Sequence, residues 1–318
     1  VALGEYSVID ILLALYNGEK YLPEQLDSIE RQTYKEWRLI IRDDGSIDGS
    51  IEIAKAFREK LPQKVFFYVN EKPTGSAKNN FFKLLDDSES SYVMFCDQDD
   101  VWLPDKIEKT YEAMKALEAK AKSNIPLLVY TELFVVDASL NIISDSFSHY
   151  MNLPQEVSLE KLMIQNTVTG CTVMINTVLK DLLKEVKDLD KILMHDHFAA
   201  IIAQSMGKIK KIHKPTIYYR QHQSNSVGAA NASSAGYLYR RFKRGRKQFK
   251  RDLRDSFIQI DYYLQLYDEN LKDNSVKALL EQYSGLQYCS KIKRVIFYLK
   301  YGVLKRGLIR KIMQMIWG

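Results

Sequence analysis

The sequence predicts an α/β fold, a sheet flanked by helices, followed by a basic helical extension. Three observations carry this. Apolar runs of strand length alternate with stretches of helical periodicity over the first hundred residues. The chemistry-bearing polar clusters of that region fall where predicted strands end, which is where open α/β sheets bind ligands. Charge is divided: residues 207–318 hold 24 Lys+Arg against 7 Asp+Glu, so the net +6 of the 318-residue chain conceals an acidic front and a basic tail. An acidic front suits metal and hydroxyl chemistry; a basic tail suits phosphates, anionic lipid or nucleic acid.

The elements follow in order. Residues 7–15 form a nearly continuous apolar run, the pattern of a parallel strand buried on both faces, ended by Tyr16-Asn17-Gly18. Leu22, Leu26 and Ile29 recur at helical spacing, and residues 37–41 start a second strand, completing a βαβ unit. That strand runs into Arg42-Asp43-Asp44-Gly45-Ser46-Ile47-Asp48, ahead of a helix over 51–59. Asp43 and Asp44 there can accept from the imide N–H of a pyrimidine base or from ribose hydroxyls, while Asp48 is expected to cap the helix. Residues 65–69 read as a third strand. The turn 73–80 leads into the next helix, with Lys78 and Asn79 able to touch a nucleotide or simply to serve the helix start.

A fourth strand, 92–96, ends in Asp97-Gln98-Asp99-Asp100. Three carboxylates within four residues repel one another unless a cation sits among them. Oxygen ligands of this kind suit Mg²⁺ or Mn²⁺, which take one or two carboxylates and leave the remaining positions to phosphates and water. A solvated turn capping the helix predicted over 106–119 is the plainer alternative for such a motif in isolation.

The ordered set Tyr16-Asn17-Gly18, Gln25-Leu-Asp-Ser28, Gln32-Thr33-Tyr34, Arg42-Asp-Asp-Gly-Ser46, Phe95-Cys-Asp-Gln-Asp-Asp-Val-Trp102, Thr169-Gly-Cys-Thr172, His195-Asp196 and Tyr219-Arg-Gln-His222 resembles the family-2 glycosyltransferases. Asp-Gln-Asp-Asp-Val-Trp resembles the bacterial subgroup of rhamnosyltransferases. The resemblance spans roughly residues 7–228. It implies a GT-A fold, with a Rossmann-like mixed sheet that binds a nucleotide sugar. A catalytic domain is then expected over 1–230, with a donor half to about 105 and an acceptor half from 106, and a basic helical region over 231–318.

The resemblance also implies roles. Tyr16, Asn17, Asp43, Asp44, Lys78 and Gly170 contact the donor, and Asp97 meets ribose or metal. Asp99 is the main metal ligand, with His222 on metal or phosphate. Strand alternation and the following turn, apart from the resemblance, are expected to send Asp100 toward the backbone, which makes it the carboxylate least apt to touch metal. Arg220 clamps phosphate, with weaker contacts from Ser224 and Ser226. Asp196 is the catalytic base, and His195, His197 and Phe198 line the acceptor. Family members often carry Trp-Trp where this chain has His197-Phe198. They also carry Tyr-Ser-Asp more often than Tyr130-Thr131-Glu132, which leaves the role of Glu132 open. The expected reaction is inverting transfer of L-rhamnose from dTDP-β-L-rhamnose, with Mg²⁺ or Mn²⁺, to a lipid-linked glycan in cell-surface polysaccharide synthesis. UDP-galactose or UDP-N-acetylglucosamine are alternative donors; a non-catalytic lipid- or nucleic-acid-binding scaffold is the alternative of another class.

In the tail, Leu238, Phe242, Phe249, Leu253, Phe257, Ile260, Leu264 and Tyr267 keep helical spacing around an interruption at Gly245, and residues 291–317 alternate basic with apolar positions. Such helices are expected to lie on an anionic membrane surface, with part of the apolar set packing on the catalytic domain. No nucleic-acid motif accompanies the tail, and no nucleic-acid partner is expected. Cys96, Cys171 and Cys289 are too scattered for a disulfide framework or a zinc site. With no secretory signal and no bilayer-length apolar run visible, the expected location is the cytoplasmic face of a bacterial plasma membrane.

Overall fold

The structure, a computed structural model, describes residues 7–121, 124–222 and 235–318, with side chains from residue 245 onward in the last segment. Its first half alternates strand and helix: β1 (Ile9–Leu15), α1 (Leu22–Glu30), β2 (Trp37–Asp43), α2 (Ser50–Lys60), β3 (Val65–Val69), α3 (Ala77–Asp87) and β4 (Tyr92–Asp97). These four strands are parallel, in the order β3-β2-β1-β4. Strand alternation divides their side chains between two cores. Ile9, Ile11, Leu13 and Leu15 face the layer that includes Leu26, Phe57 and Ile107, whereas Leu12, Ile40, Val93 and Phe95 face the opposite one. Burial on both faces is why these strands read as unbroken apolar runs. Asp10, the polar exception in β1, is buried against Arg38 at 2.8 Å and accepts from Ser88 Oγ and the Ser90 N–H, which ties β1 to the start of β4.

The sheet continues through β5 (Val101–Trp102), α4 (Lys106–Ala121), β6 (Leu127–Val136), β7 (Ile142–Ser144), α5 (Phe147–Tyr150), α6 (Leu159–Leu162), β8 (Val173–Asn176), α7 (Thr177–Lys184), α8 (His195–Met206) and β9 (Lys208–Arg220). The full order is β3-β2-β1-β4-β8-β6-β9-β5, with β7 on β6. Strand β8 runs antiparallel to β4 and β6, which makes the sheet mixed. Residues 170–172 form a 3₁₀ turn that leads into β8. The two-residue β5 carried no sequence signal, because its partners Ile217 and Tyr218 lie more than a hundred residues downstream.

Glu132 has a structural task. Burial acts to raise its carboxyl, but bonds from Ser148, the Leu133 N–H and Lys211 outweigh this and hold it below the usual glutamate range. It also accepts from the Phe147 N–H at 3.0 Å, so it anchors the start of α5 and does not face the acidic cluster.

Helices α9 (Ala235–Tyr267, broken at Gly245 with φ +78), α10 (Asn274–Gly285), α11 (Lys291–Tyr301) and α12 (Leu308–Trp317) complete the chain. Phe249, Leu253, Phe257, Ile260, Tyr263 and Tyr267 enter the same core as α7 and α8. From residue 245 onward, the apolar face of α9 is therefore spent on the protein; Leu238 and Phe242 lie outside the residues whose side chains are described. Helices α11 and α12 commit only part of theirs, through Phe297, Tyr298 and Met313. Among the described residues no helix is long and apolar enough to cross a membrane.

Candidate active site

Three strand ends meet above the parallel half of the sheet. At the end of β1, Tyr16 is 56% exposed, and its backbone is held from both sides by one side chain. Gln98 Oε1 accepts from the Tyr16 N–H at 2.7 Å, and Gln98 Nε2 donates to the Tyr16 carbonyl at 2.9 Å. Asn17 adopts φ +47, a left-handed conformation that asparagine tolerates, and its Oδ1 accepts from the Ile47 N–H. Ser46 and Ser50 accept from the Asn17 and Gly18 amides. The loops after β1 and β2 are thus one bonded unit, with Gln98 as its third side.

Both carboxylates ending β2 are committed to this architecture. Asp43 accepts from the Gly45 and Ser46 N–H groups, and Asp44 from Asn70, the Thr74 and Gly75 N–H groups and the Thr74 hydroxyl. They shape the turns that border the site. Asp48 accepts from the Ser50 N–H, but the N-cap of α2 is Gly49, so Asp48 supports the helix start from one position before the cap it was expected to be.

In the acidic loop, Asp99 Oδ2 lies 2.8 Å from His222 Nε2, and the His222 ring rests on Tyr21 with centroids 4.7 Å apart. Asp100 is fully buried and accepts from the Arg220 N–H at 3.1 Å. Burial, then the charges of Asp99 and Asp97, hold Asp100 well above the usual carboxylate range. Burial first, then the charges of Asp99 and Asp196, push Asp97 up to about 7. That repulsion is the condition a bound cation relieves. The carboxylate of Asp99 and the imidazole of His222 are donor types that a divalent ion takes. Asp97, Asp100 and Cys171 also bring donor atoms within 4.8 Å of one another. Burial keeps the Cys171 thiol protonated, however, and Asp100 already accepts the Arg220 amide, so this second grouping fits Mg²⁺ or Mn²⁺ poorly.

Asp196 stands at the start of α8, 7% exposed, and its Oδ1 accepts from the His197 N–H at 2.6 Å. Burial pushes it up to about 6, against bonds from His197, Asn166 and Gly170 that act to lower it. Gly170 is needed here for space: a Cβ would lie 3.0 Å from His195 Nε2 and 3.4 Å from Asp196 Oδ2.

Several residues do other work than the sequence suggested. Arg220 is buried; its Nε donates to the Asp99 carbonyl, its Nη1 to the Ala138 carbonyl, and its Nη2 pairs with Glu24. It braces the acidic loop, where a phosphate clamp was expected. Lys78 Nζ donates to the Leu189 and Ile192 carbonyls, which staples the segment before α8 and does not reach toward the donor loops. Phe198 is fully buried near Tyr263, too deep to stack on an acceptor. His197 is also buried: Nε2 lies 2.6 Å from the Leu162 carbonyl and Nδ1 3.4 Å from Gln259, and burial pushes it down to about 4. His195 packs between Phe81 and Phe95, with centroids at 4.2 and 4.7 Å, and burial pushes it down to about 3. Ser224 and Ser226 lie outside the described residues.

Gln98, Glu24, Tyr21 and Lys106 carry roles that sequence reasoning missed. Lys106 is wholly buried with its ammonium 4.7 Å from the Trp102 ring, and burial pushes it down to about 8. The position of Gln98 inside the acidic motif was the one available signal; the others depend on contacts distant in sequence.

Residues 10–139 match the profile described as Glycosyl transferase family 2. The chain carries a family-2 glycosyltransferase region. It is 28% identical over 237 residues to the dTDP-rhamnosyl transferase RfbG of Shigella flexneri, covering 71% of this chain and 76% of that one. It is also 27% identical over 170 residues to a putative teichuronic acid biosynthesis glycosyltransferase, TuaG, of Bacillus subtilis, covering 53% and 62%. Among solved structures, S. aureus TarS residues 1–349 with UDP-GlcNAc superposes with a TM-score of 0.55 at 18% identity, covering 96% of this chain and 78% of the TarS chain. The mannosyltransferase PcManGT of Pyrobaculum calidifontis, with GDP-Man and Mn²⁺, gives 0.53 at 14%, covering 98% and 86%. At these identities the structural likeness establishes the GT-A fold.

Proposed function

We propose that this glycosyltransferase moves L-rhamnose from dTDP-β-L-rhamnose to a lipid-linked glycan, with inversion, in the synthesis of a cell-surface polysaccharide. The observation that carries the reaction type is the buried Asp196 carboxylate, close enough to the acidic loop for its charge to act on Asp97. The rhamnosyl donor is supported by the likeness to RfbG and by the Asp97-to-Trp102 motif, and polysaccharide synthesis by the likeness to TuaG.

Asp196 accepts the proton of the acceptor hydroxyl as that oxygen attacks the anomeric carbon. The bond from that carbon to the diphosphate oxygen breaks on the opposite face, so a β donor yields an α-rhamnoside. A carboxyl near 6 is mostly ionised at neutral pH, yet a stronger base than an ordinary aspartate. Asp99 and His222, with Asp97, would hold Mg²⁺ or Mn²⁺, which supplies Lewis-acid stabilisation of the departing diphosphate. Arg220 keeps the acidic loop in place, and the bonded loops around Tyr16, Asn17, Asp43 and Asp44 border the nucleotide.

The acceptor end is proposed to lie at an anionic membrane. Residues 291–318 contain eight Lys+Arg and no Asp or Glu. Ile292 and Leu308 are each 74% exposed, and Ile296, Leu299, Ile312 and Ile316 are exposed as well. A basic, outward apolar face of this kind suits anionic headgroups. Two experiments test the proposal. A panel of dTDP-rhamnose, UDP-galactose and UDP-N-acetylglucosamine, scored by product on lipid-linked acceptors, should show dTDP-rhamnose preferred; equal or better use of a UDP-sugar overturns the donor assignment. Co-sedimentation with phosphatidylglycerol vesicles should fall in an Ile292→Ser/Leu308→Ser variant, and undiminished binding would remove these helices from the membrane contact.

A further inference from the structure

Away from the acidic loop, α3 and the segment after α7 border an open cavity of about 410 Å³. Its walls come from three separate stretches: the loop leading to α3, one side of α3 itself, and residues 184–189. Lys72, Lys83, Lys184 and Lys187 line it, opposed by the single carboxylate of Asp86. None of these four lysines forms an ion pair among the described residues. Where the ammonium groups are bonded, their acceptors are neutral: Asn70 Oδ1 for Lys83, the Ser88 carbonyl for Lys184 and the Lys184 carbonyl for Lys187. Four like charges gathered around a concavity repel one another and focus a positive potential into it. An anion is the occupant that relieves this.

A second observation narrows the chemistry. Asn79 lines the cavity, and its Oδ1 is buried without a hydrogen-bond partner, while its amide nitrogen donates to the Thr74 carbonyl at 3.2 Å. A buried unsatisfied acceptor is costly, and what it lacks is a donor. An occupant that presses against this wall and brings a hydroxyl or N–H as well as negative charge would satisfy it. Phe82 and Val186 add apolar surface of the kind that packs against the C–H face of a sugar ring.

We propose that this cavity is a subsite for an acidic saccharide unit, a sugar bearing carboxylate or phosphate, within the glycan acceptor. Its placement fits. Lys78 staples the carbonyls of Leu189 and Ile192, and this segment, which borders the cavity at Leu189, runs directly into α8 and Asp196. A glycan presenting one hydroxyl to Asp196 can lay a neighbouring acidic unit across the segment into the lysine-lined space. The inference rests on the proposed function for the identity of the acceptor, and on the cavity alone for its charge preference.

The test is calorimetric titration of the full chain with hexameric oligogalacturonate, a glycerol phosphate hexamer and uncharged maltohexaose. The two acidic probes separate a carboxylate from a phosphate source. At least one should bind about tenfold or more tightly than maltohexaose and weaken as salt rises. A folded Lys83→Gln/Lys187→Gln variant should lose about tenfold or more in affinity for that probe, as expected when charge-assisted contacts are removed. A Lys293→Gln/Lys300→Gln variant in the basic tail should bind as the parent does. Equal affinity for maltohexaose, loss in the tail variant with none in the cavity variant, or competitive displacement of the acidic probe by dTDP each overturns the proposal. Binding is read without turnover, so the outcomes separate. Intact transfer with no cavity binding defeats the subsite alone, and specific cavity binding with no glycosyl transfer defeats the function proposed above.

Discussion

Replacing Asp196 with Asn should abolish most of the activity and, at neutral pH, make the protein more stable. Burial raises the folded carboxyl from 3.8 to about 6. Between those values the folded state holds the proton while the unfolded chain releases it, so stability falls as pH rises through this window, and the loss is complete above about 6. The difference corresponds to about 3 kcal/mol at the conversion of 1.36 kcal/mol per pH unit. Asparagine is never ionised. Its Oδ1 can still accept the His197 N–H now bonded by the aspartate. Urea unfolding at pH 4 and pH 7.5 should thus show the variant near the parent at low pH and more stable by up to about 3 kcal/mol at high pH. Kinetically, parent kcat/KM should rise about tenfold per unit below pH 6 and level off above it. The variant should fall by about 10²- to 10⁴-fold at neutral pH and lose that dependence, with release of nucleoside diphosphate as the readout. A stability gap equal at the two pH values, or a parent profile flat from pH 5 to 8, would refute the argument that burial sets the basicity of Asp196.

Gln98→Ala removes both bonds on the Tyr16 backbone and should raise the donor KM roughly tenfold with kcat changed only a few-fold, measured by steady-state kinetics. Gly170→Ala places a methyl 3.0 Å from the tightly packed His195 ring and should lower kcat at least about tenfold in a folded protein; unchanged kcat would show that His195 and Asp196 have room to move. Glu132→Ala leaves Lys211 with only the neutral Ser148 hydroxyl and the start of α5 unanchored, so it should destabilise by about 3 kcal/mol in urea unfolding while kcat stays within about twofold. Chelation should stop transfer and added Mn²⁺ restore it, and Asp99→Asn should need more metal for half-maximal rate; activity indifferent to EDTA would remove the metal from the mechanism.

The parallel half of the fold was legible because burial on both faces forces a plain signal. Strands such as β1 and β4 must be apolar at nearly every position, and α1 and α3 must be apolar on one side. The acidic loop and Asp196 were legible because clustered carboxylates and a polar helix start stand out against that background. Phe198 and His197 were misread for the opposite reason. Aromatic residues beside a proposed base read equally well as an acceptor platform or as core, and only the packing of α9 against α8 decides for core. Glu132 had no readable role, because its partners Lys211 and Ser148 become neighbours only once β6, β9 and α5 are assembled.

By itself, the sequence determined which strands alternate with which helices, where the carboxylates cluster, and that a basic tail follows an acidic front. These properties follow from local periodicity and composition. Only the tertiary structure decided what each polar side chain is bonded to. It turned Arg220 onto Asp99, Ala138 and Glu24, sent Lys78 to Leu189 and Ile192, and closed Gln98 over Tyr16. It also divided the tail, committing the apolar face of α9 beyond Gly245 to the core and leaving much of those of α11 and α12 exposed. The physical reason is that a buried polar group must find its partner wherever the folded chain brings one. For these residues the partner lies tens to hundreds of positions away.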